Sequence, residues 1–180
     1  SNITGMAASD YGRLGSTIVA LGNNFATTES EITQMATKLA SAGTLAGLTE
    51  TEILALSTAM SSVGIQAEAG GTAMTQTFSA IEKAVASGGE SLDQFAVVAG
   101  MTSKDFATKW STAPIEAIQA FISGLGGLEA RGESATLVLD DMGLSGIRQS
   151  NMLKSLALAS DELSSAVDMS STAWRENTAL

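Results

Sequence analysis

The sequence predicts an all-α fold, a compact multi-helix module of about nine short to medium helices joined by Gly-capped corners, with no sheet. Three observations carry this reading. Apolar residues recur at helical spacing in Ile32, Met35 and Leu39, in Met74, Phe78, Ile81 and Val85, and in Ile115, Ile118, Ile122 and Leu125, and these stripes are expected to face one core. Three junctions, Gly47-Leu48-Thr49, Gly100-Met101-Thr102 and Gly143-Leu144-Ser145, share one grammar: a glycine that ends one helix, a hydrophobic residue, and a Ser or Thr that caps the next. No alternating β-pattern competes, because Val97-Val98 and Leu137-Val138-Leu139 are the only β-leaning runs and both sit in short segments with helical ends.

The elements follow in order. A first helix is expected near residues 10–22 and a second over 29–42, where Thr28 and Glu31 have capping-box spacing. The third, 50–63, is the best specified. Thr49 and Glu52 form a capping box, Leu48 and Ile53 a hydrophobic staple, and Gly64 a left-handed stop. A fourth helix over 67–87 carries Gly70-Gly71 near its start. Two such glycines cost a helix about 1 kcal/mol each relative to alanine, so close approach of another backbone is expected there, either within the molecule or at a subunit contact, ahead of a ligand. Residues 92–99 follow from a Ser91–Gln94 box, and 103–110 from Thr102 with a Met101–Phe106 staple. Pro114 suits the first position of a helix over 114–123, since its missing N–H would be unpaired there anyway. Helices over 134–142 and from Gly146 onward complete the series, the last being one long helix or two with a break near Ser160. The chain reads as a single helical module, 1–180, with a hinge near 124–132. Its end at Leu180 carries no stop signal, which predicts a fragment of a longer chain.

Composition excludes several function classes. At 180 residues, roughly 70% of the unfolded surface can be buried, so a sizeable core is available. Charged residues are only 16% against about 25% usually, and small polar residues fill the difference. Such a surface suits close helix packing or contact with other subunits as much as plain solvation. The net charge of −10, with nine Lys and Arg scattered singly, leaves no basic stripe to displace counterions from phosphates, so no nucleic acid is expected as a partner. Anionic membrane surfaces are disfavoured for the same reason, and no apolar run approaches the roughly 20 residues of a membrane span.

Chemistry is sparse. The chain has no His and no Cys, which removes the usual base for a serine nucleophile, the commonest metal ligand and the thiol. No Ser-x-x-Lys pair occurs. Gly124-Leu125-Gly126-Gly127 resembles a phosphate loop only superficially, since it follows a helix and lacks the later Gly-Lys-Ser/Thr. Asp140 and Asp141 are neighbours about 100° apart on a helix and cannot share one proton. Glu68 is expected to complement the dipole at a helix N-terminus. The eight methionines are expected as core filling. Trp110 and Trp174 are either interface anchors or packing residues. No catalytic, cofactor-binding or metal-binding residue is assigned, no cofactor is expected, and the chain reads as a non-enzyme.

The segment GIQAEAGGTAM, residues 64–74, resembles the core region of the phage tail tape measure protein family, where a glycine-ended helix leads into a very similar segment. The likeness continues in LGNNFATTESEI upstream and in VVAGMTSKDFATKW, PIEAIQAFISGL, MGLSGIRQ and AWRENTAL downstream, in the family's order. Ala113 departs from it, standing where the family commonly has an Asp before the proline, which weakens the cap there. The resemblance implies a structural protein of the virion tail, present in the host cytoplasm during assembly, whose full chain fixes tail length and occupies the tube lumen. It implies self-association and partners among tail tube, tail assembly chaperone and baseplate proteins. In that family long helical regions act as the ruler, at about 1.5 Å of rise per residue. The frequent glycine stops instead predict a folded module attached to such a rod. The competing class is a helical membrane-active or toxin-like module, whose mark, a buried hydrophobic hairpin, is not present in the sequence.

Overall fold

Ten helices, with no strand among the described residues, make up the computed structural model, which describes residues 10–177. They are α1 (Tyr11–Asn24), α2 (Glu29–Ala46), α3 (Glu50–Ser62), α4 (Ala67–Ser87), α5 (Gly89–Ala99), α6 (Ser103–Thr112), α7 (Pro114–Ala130), α8 (Ala135–Asp141), α9 (Ile147–Leu158) and α10 (Ser160–Glu176). The all-α expectation holds. The chain divides into two units, the first running up to Thr72 and resuming at Asp161, the second Ala73–Ser160. The stripe Ile32, Met35 and Leu39 is buried in the first; Met74, Phe78 and Ile81 and the Ile115 to Leu125 stripe are buried in the second, with Val85 half-buried. The stripes assigned to one core thus belong to two units.

Helix ends explain why the chain breaks where it does. At Gly47, φ is 96°, a left-handed conformation that side chains rarely adopt. It lets Leu48 N–H reach the Gly43 carbonyl at 2.9 Å and Gly47 N–H the Thr44 carbonyl at 3.0 Å, the paired bonds of a Schellman stop. The same pair recurs at Gly64, Gly100, Gly132 and Gly143. At the start of α3 both halves of the capping box form: Glu52 N–H donates to Thr49 Oγ1 at 3.3 Å, and Thr49 N–H donates to Glu52 Oε1 at 2.9 Å. Leu48 and Ile53 are both buried. Thr28 and Thr102 cap α2 and α6 from their side chains, but Glu31 accepts from the Thr28 hydroxyl, so that box is half formed.

Three local expectations are corrected. Ser91 does not begin a helix, because α5 starts at Gly89 behind Gly88, whose φ of 69° and ψ of −153° are open to glycine alone. Gly146 rather than Ser145 occupies the cap of α9 and brings no side-chain bond. The helix expected to stop at Ser123 runs on to Ala130, so residues 124–130 are helical. The last helical region does break, at Ala159.

In the first unit α3 is the inner helix, packed against α1 and α2. Every residue from Ile53 to Ser61 is buried, including three that carry hydroxyls. Ser57 and Thr58 each donate to a carbonyl one turn back at 2.7 Å, and Ser61 donates to Thr58 O at 3.3 Å while sharing a 2.8 Å bond with the Thr27 hydroxyl. No hydroxyl is stranded, which avoids the desolvation penalty of a buried unpaired group. Helix α10 is tied to this assembly by Ser170 Oγ donating to Thr51 O at 2.7 Å and Ser62 Oγ donating to Glu162 at 2.7 Å. At its far end the Arg13 guanidinium donates to the Trp174 and Arg175 carbonyls, a cation where the helix dipole is negative.

In the second unit α7 is inner, packed against α5, α6, α8 and α9. Phe121 meets Phe95 with ring centroids 5.1 Å apart, and Phe95 meets Phe106 at 5.9 Å. Two of its glycines face other backbones. A methyl group placed on Gly124 would collide with the Val98 carbonyl of α5, and one on Gly126 would come within 2.7 Å of the Ala157 carbonyl oxygen of α9. On Gly127 it would meet only the Arg131 guanidinium, at 3.4 Å. Helix α4 joins the unit through Trp110, whose indole N–H donates to Glu82 at 2.9 Å, and through buried Gln149, which donates to Thr77 at 3.1 Å.

These contacts predict opposite outcomes for two Gly→Ala changes on one helix. Gly124→Ala is expected to destabilise by about 1–3 kcal/mol through overpacking against a backbone that cannot yield. Gly127→Ala should stabilise by up to about 1 kcal/mol through helix propensity. Urea unfolding of both variants checks the pair; a Gly124→Ala protein as stable as the parent would show that α5 and α7 are not in backbone contact.

Candidate interaction surface

The glycine pair singled out in the sequence lies where α4 crosses α2 in the first unit. A methyl group on Gly71 would come within 2.6 Å of Lys38 Cβ, with the Lys38 carbonyl carbon at 3.8 Å. One on Gly70 would strike Ile65 Cγ2 and approach the terminal methyls of Met60 and Met35 at 3.1 and 3.2 Å. Of the alternatives left open by the sequence, intramolecular close approach is the one found. The Lys38 ammonium then pairs with Glu68 at 3.0 Å; both are largely exposed, so this pair contributes little to stability. Glu68 sits in the first turn of α4, as its dipole role requires.

The other residues weighed in the sequence are placed as follows. Trp110 is buried packing with its N–H satisfied, whereas Trp174 is half-buried. Met35, Met60, Met74 and Met152 are in the cores, while Met101, Met142 and Met169 are half-buried; Met6 lies outside the described residues, as does Leu180. Gly124 and Gly126 serve helix packing. Asp140 and Asp141 are exposed. Among the described residues no group of three or more His, Cys, Asp or Glu could hold a metal ion, and no helix is long and apolar enough to cross a membrane.

What remains for contact with other molecules is surface. The first unit's sequence carries ten carboxylates against three cations, seven of the net ten negative charges. One of its grooves, between α2 and the start of α4, mixes the charged and amide side chains of Glu31, Gln34, Lys38, Gln66 and Glu68 with Ile65 and Ala67. The second unit holds four exposed large hydrophobic residues, Val97, Leu137, Ile147 and Leu158. Val97 stands beside a groove between α5 and α8 whose lining includes Val98, Val138 and Met142. These valines were visible in the sequence only as β-leaning runs. For Val97 the signal was a β-branched residue flanked at helical spacing by Asp93, Gln94 and Gly100.

The contact at Gly71 yields a direct test. Gly71→Leu is expected to destabilise the protein by about 1–3 kcal/mol, because the side chain must displace Lys38 and the backbone behind it. Helix propensity alone predicts the reverse, a gain approaching 1 kcal/mol. A melting temperature equal to or above the parent's would refute the close approach.

A family model described as phage-related minor tail protein matches residues 1–142. No curated protein and no solved structure matches the chain. The matched stretch takes in all of α1 to α7, with the inner helix of each unit, and extends to the end of α8. By this match over most of its length, the chain belongs to the phage-related minor tail protein family.

Proposed function

We propose that this chain is a folded module of a tape measure protein, contributing to tail assembly and length through protein–protein packing and not through catalysis. Membership of the minor tail family supports the tail as its site of action. The finer assignment rests on the ordered sequence blocks that resemble tape measure cores. The observation that carries the module reading is the set of five Schellman corners. A ruler needs uninterrupted rise along one axis, and a chain in which five helices end within a few turns at a left-handed glycine gives up that rise. Its partners on this reading are other copies of itself and the tube, chaperone and baseplate proteins. It would meet them first in the host cytoplasm and then in the virion tail.

Deleting residues 50–63 from the full-length protein separates module from ruler. A ruler would lose about 20 Å of tail, at about 1.5 Å per residue. Here the deletion removes α3, whose central residues are all buried, and should unfold the first unit by exposing the stripes of its neighbours. The expected outcome in electron micrographs is stalled or abolished assembly with few tails of proportionally reduced length. Abundant infectious particles with uniformly shortened tails would assign these residues to the ruler.

A further inference from the structure

The groove between α5 and α8 has an apolar floor and an acidic rim. Its lining comprises Val97, Val98, Val138 and Met142 together with Gln94 and the carboxylates Glu90, Asp93 and Asp141. Val97 is 77% exposed, although a β-branched residue gains nothing on an exposed helix face and slightly disfavours the helix. Gln94 spans the two helices, its amide donating to the Asp141 carbonyl at 3.4 Å. Glu90 lies in the first turn of α5, where it also complements the dipole, and Asp93 accepts from Ser103 at 2.5 Å. Asp141 has no such local role, and no Lys or Arg lines the groove.

We propose that this groove docks an amphipathic helix of a partner protein, with apolar side chains seated on Val97, Val98 and Val138 and lysines or arginines flanking them toward Glu90, Asp93 and Asp141. Size favours side-chain knobs over a small molecule: the groove encloses about 270 Å³, below the roughly 300–1,000 Å³ of small-molecule sites. An apolar trough between two helices suits the helix-in-groove mode of recognition. Charge selects the partner. Three carboxylates with no cation between them repel an acidic surface and steer a basic one. A second copy of this chain, at net charge −10, is a poor occupant on that ground. The inference stands on the groove alone and holds whether or not the chain is a tape measure module.

The test uses a fluorescein-labelled, stapled helical peptide of about four turns, with leucine along one face and lysine on both flanks. Saturable binding to the whole chain is expected by fluorescence anisotropy. Val97→Asn should weaken it by about tenfold, or about 1.4 kcal/mol. Glu90→Gln with Asp141→Asn should weaken it similarly and flatten its salt dependence. The charge-matched control Asp168→Asn with Glu176→Gln, on exposed positions of α10, should leave it within about twofold, since screening confines the effect of distant surface charges. A peptide with glutamate in place of lysine should not bind. Absence of saturable binding, indifference to Val97→Asn, or an equal loss in the α10 control would overturn the proposal. So would sedimentation showing that the chain dimerises and that Val97→Asn abolishes the dimer, which would give the groove to a second copy.

Discussion

A helix enclosed on every side must satisfy its polar side chains without water, and the first unit is organised by how α3 meets that constraint. From Ile53 to Ser61 every residue of α3 is buried. An unpaired buried hydroxyl would cost about 1–3 kcal/mol, and three of these residues carry one. Their bonds to carbonyls of the preceding turn remove the penalty within the helix itself. Ser57 and Thr58 therefore demand nothing polar from neighbouring helices. The polar ties of α3 to other segments lie toward its ends, at Thr51, Ser61 and Ser62, so its middle can be covered by small and apolar surfaces. Ala36, Leu39, Ala40 and Gly43 of α2 supply such a surface. A methyl group on Gly43 would fall within 3.1 to 3.6 Å of Ile53 and Leu48, so the cap, the staple and the packing of α2 on α3 meet at one place. The low charge content of the chain is the sequence-level counterpart of this internal accounting of polar groups.

The inner helix of the second unit has fewer hydroxyls than α3 and more glycine. This helix, α7, presents Gly124 to the backbone of α5 and Gly126 to that of α9, with buried Leu125 between them. Each glycine weakens the isolated helix by about 1 kcal/mol. Backbone contact on two sides offsets this, because atoms at van der Waals distance replace a layer of side chains. The aromatic cluster of Phe95, Phe106 and Phe121 then fills the space beside the closest approach.

Much of this was legible because it is local. The Thr49–Glu52 box, the Thr102 cap, Pro114 at the head of α7 and the stops at Gly47, Gly64, Gly100 and Gly143 depend on residues within one turn of each other. The failures have the opposite character. The helix over 114–123 was expected to stop before the glycines of 124–132 because a glycine's local preference signals a break, and the helices on either side of α7, which runs on to Ala130, reverse that preference. Ser91 and Ser145 had cap-forming chemistry, but Gly88 and Gly146 took the cap positions of α5 and α9. Periodicity reports which face of a helix is apolar and not which helix covers it, so the division of the stripes between two units was hidden. Gly71 was singled out correctly because the energetic anomaly was itself local. The groove was not, since Val97 and Val138 lie on helices separated in sequence by α6 and α7.

Family membership places the chain among phage minor tail proteins, and the packing describes how such a chain can act by contact alone. Such packing requires that the first unit be a cooperatively folded body built around α3, not a segment that becomes ordered only inside a tail. Hydrogen exchange measured on the chain alone and on assembled tails tests this most directly. Amides of residues 54–61 are expected to be the slowest of their unit in both samples, exchanging only through its global opening. Fast exchange across α3 in the isolated chain, with protection gained only on assembly, would contradict it.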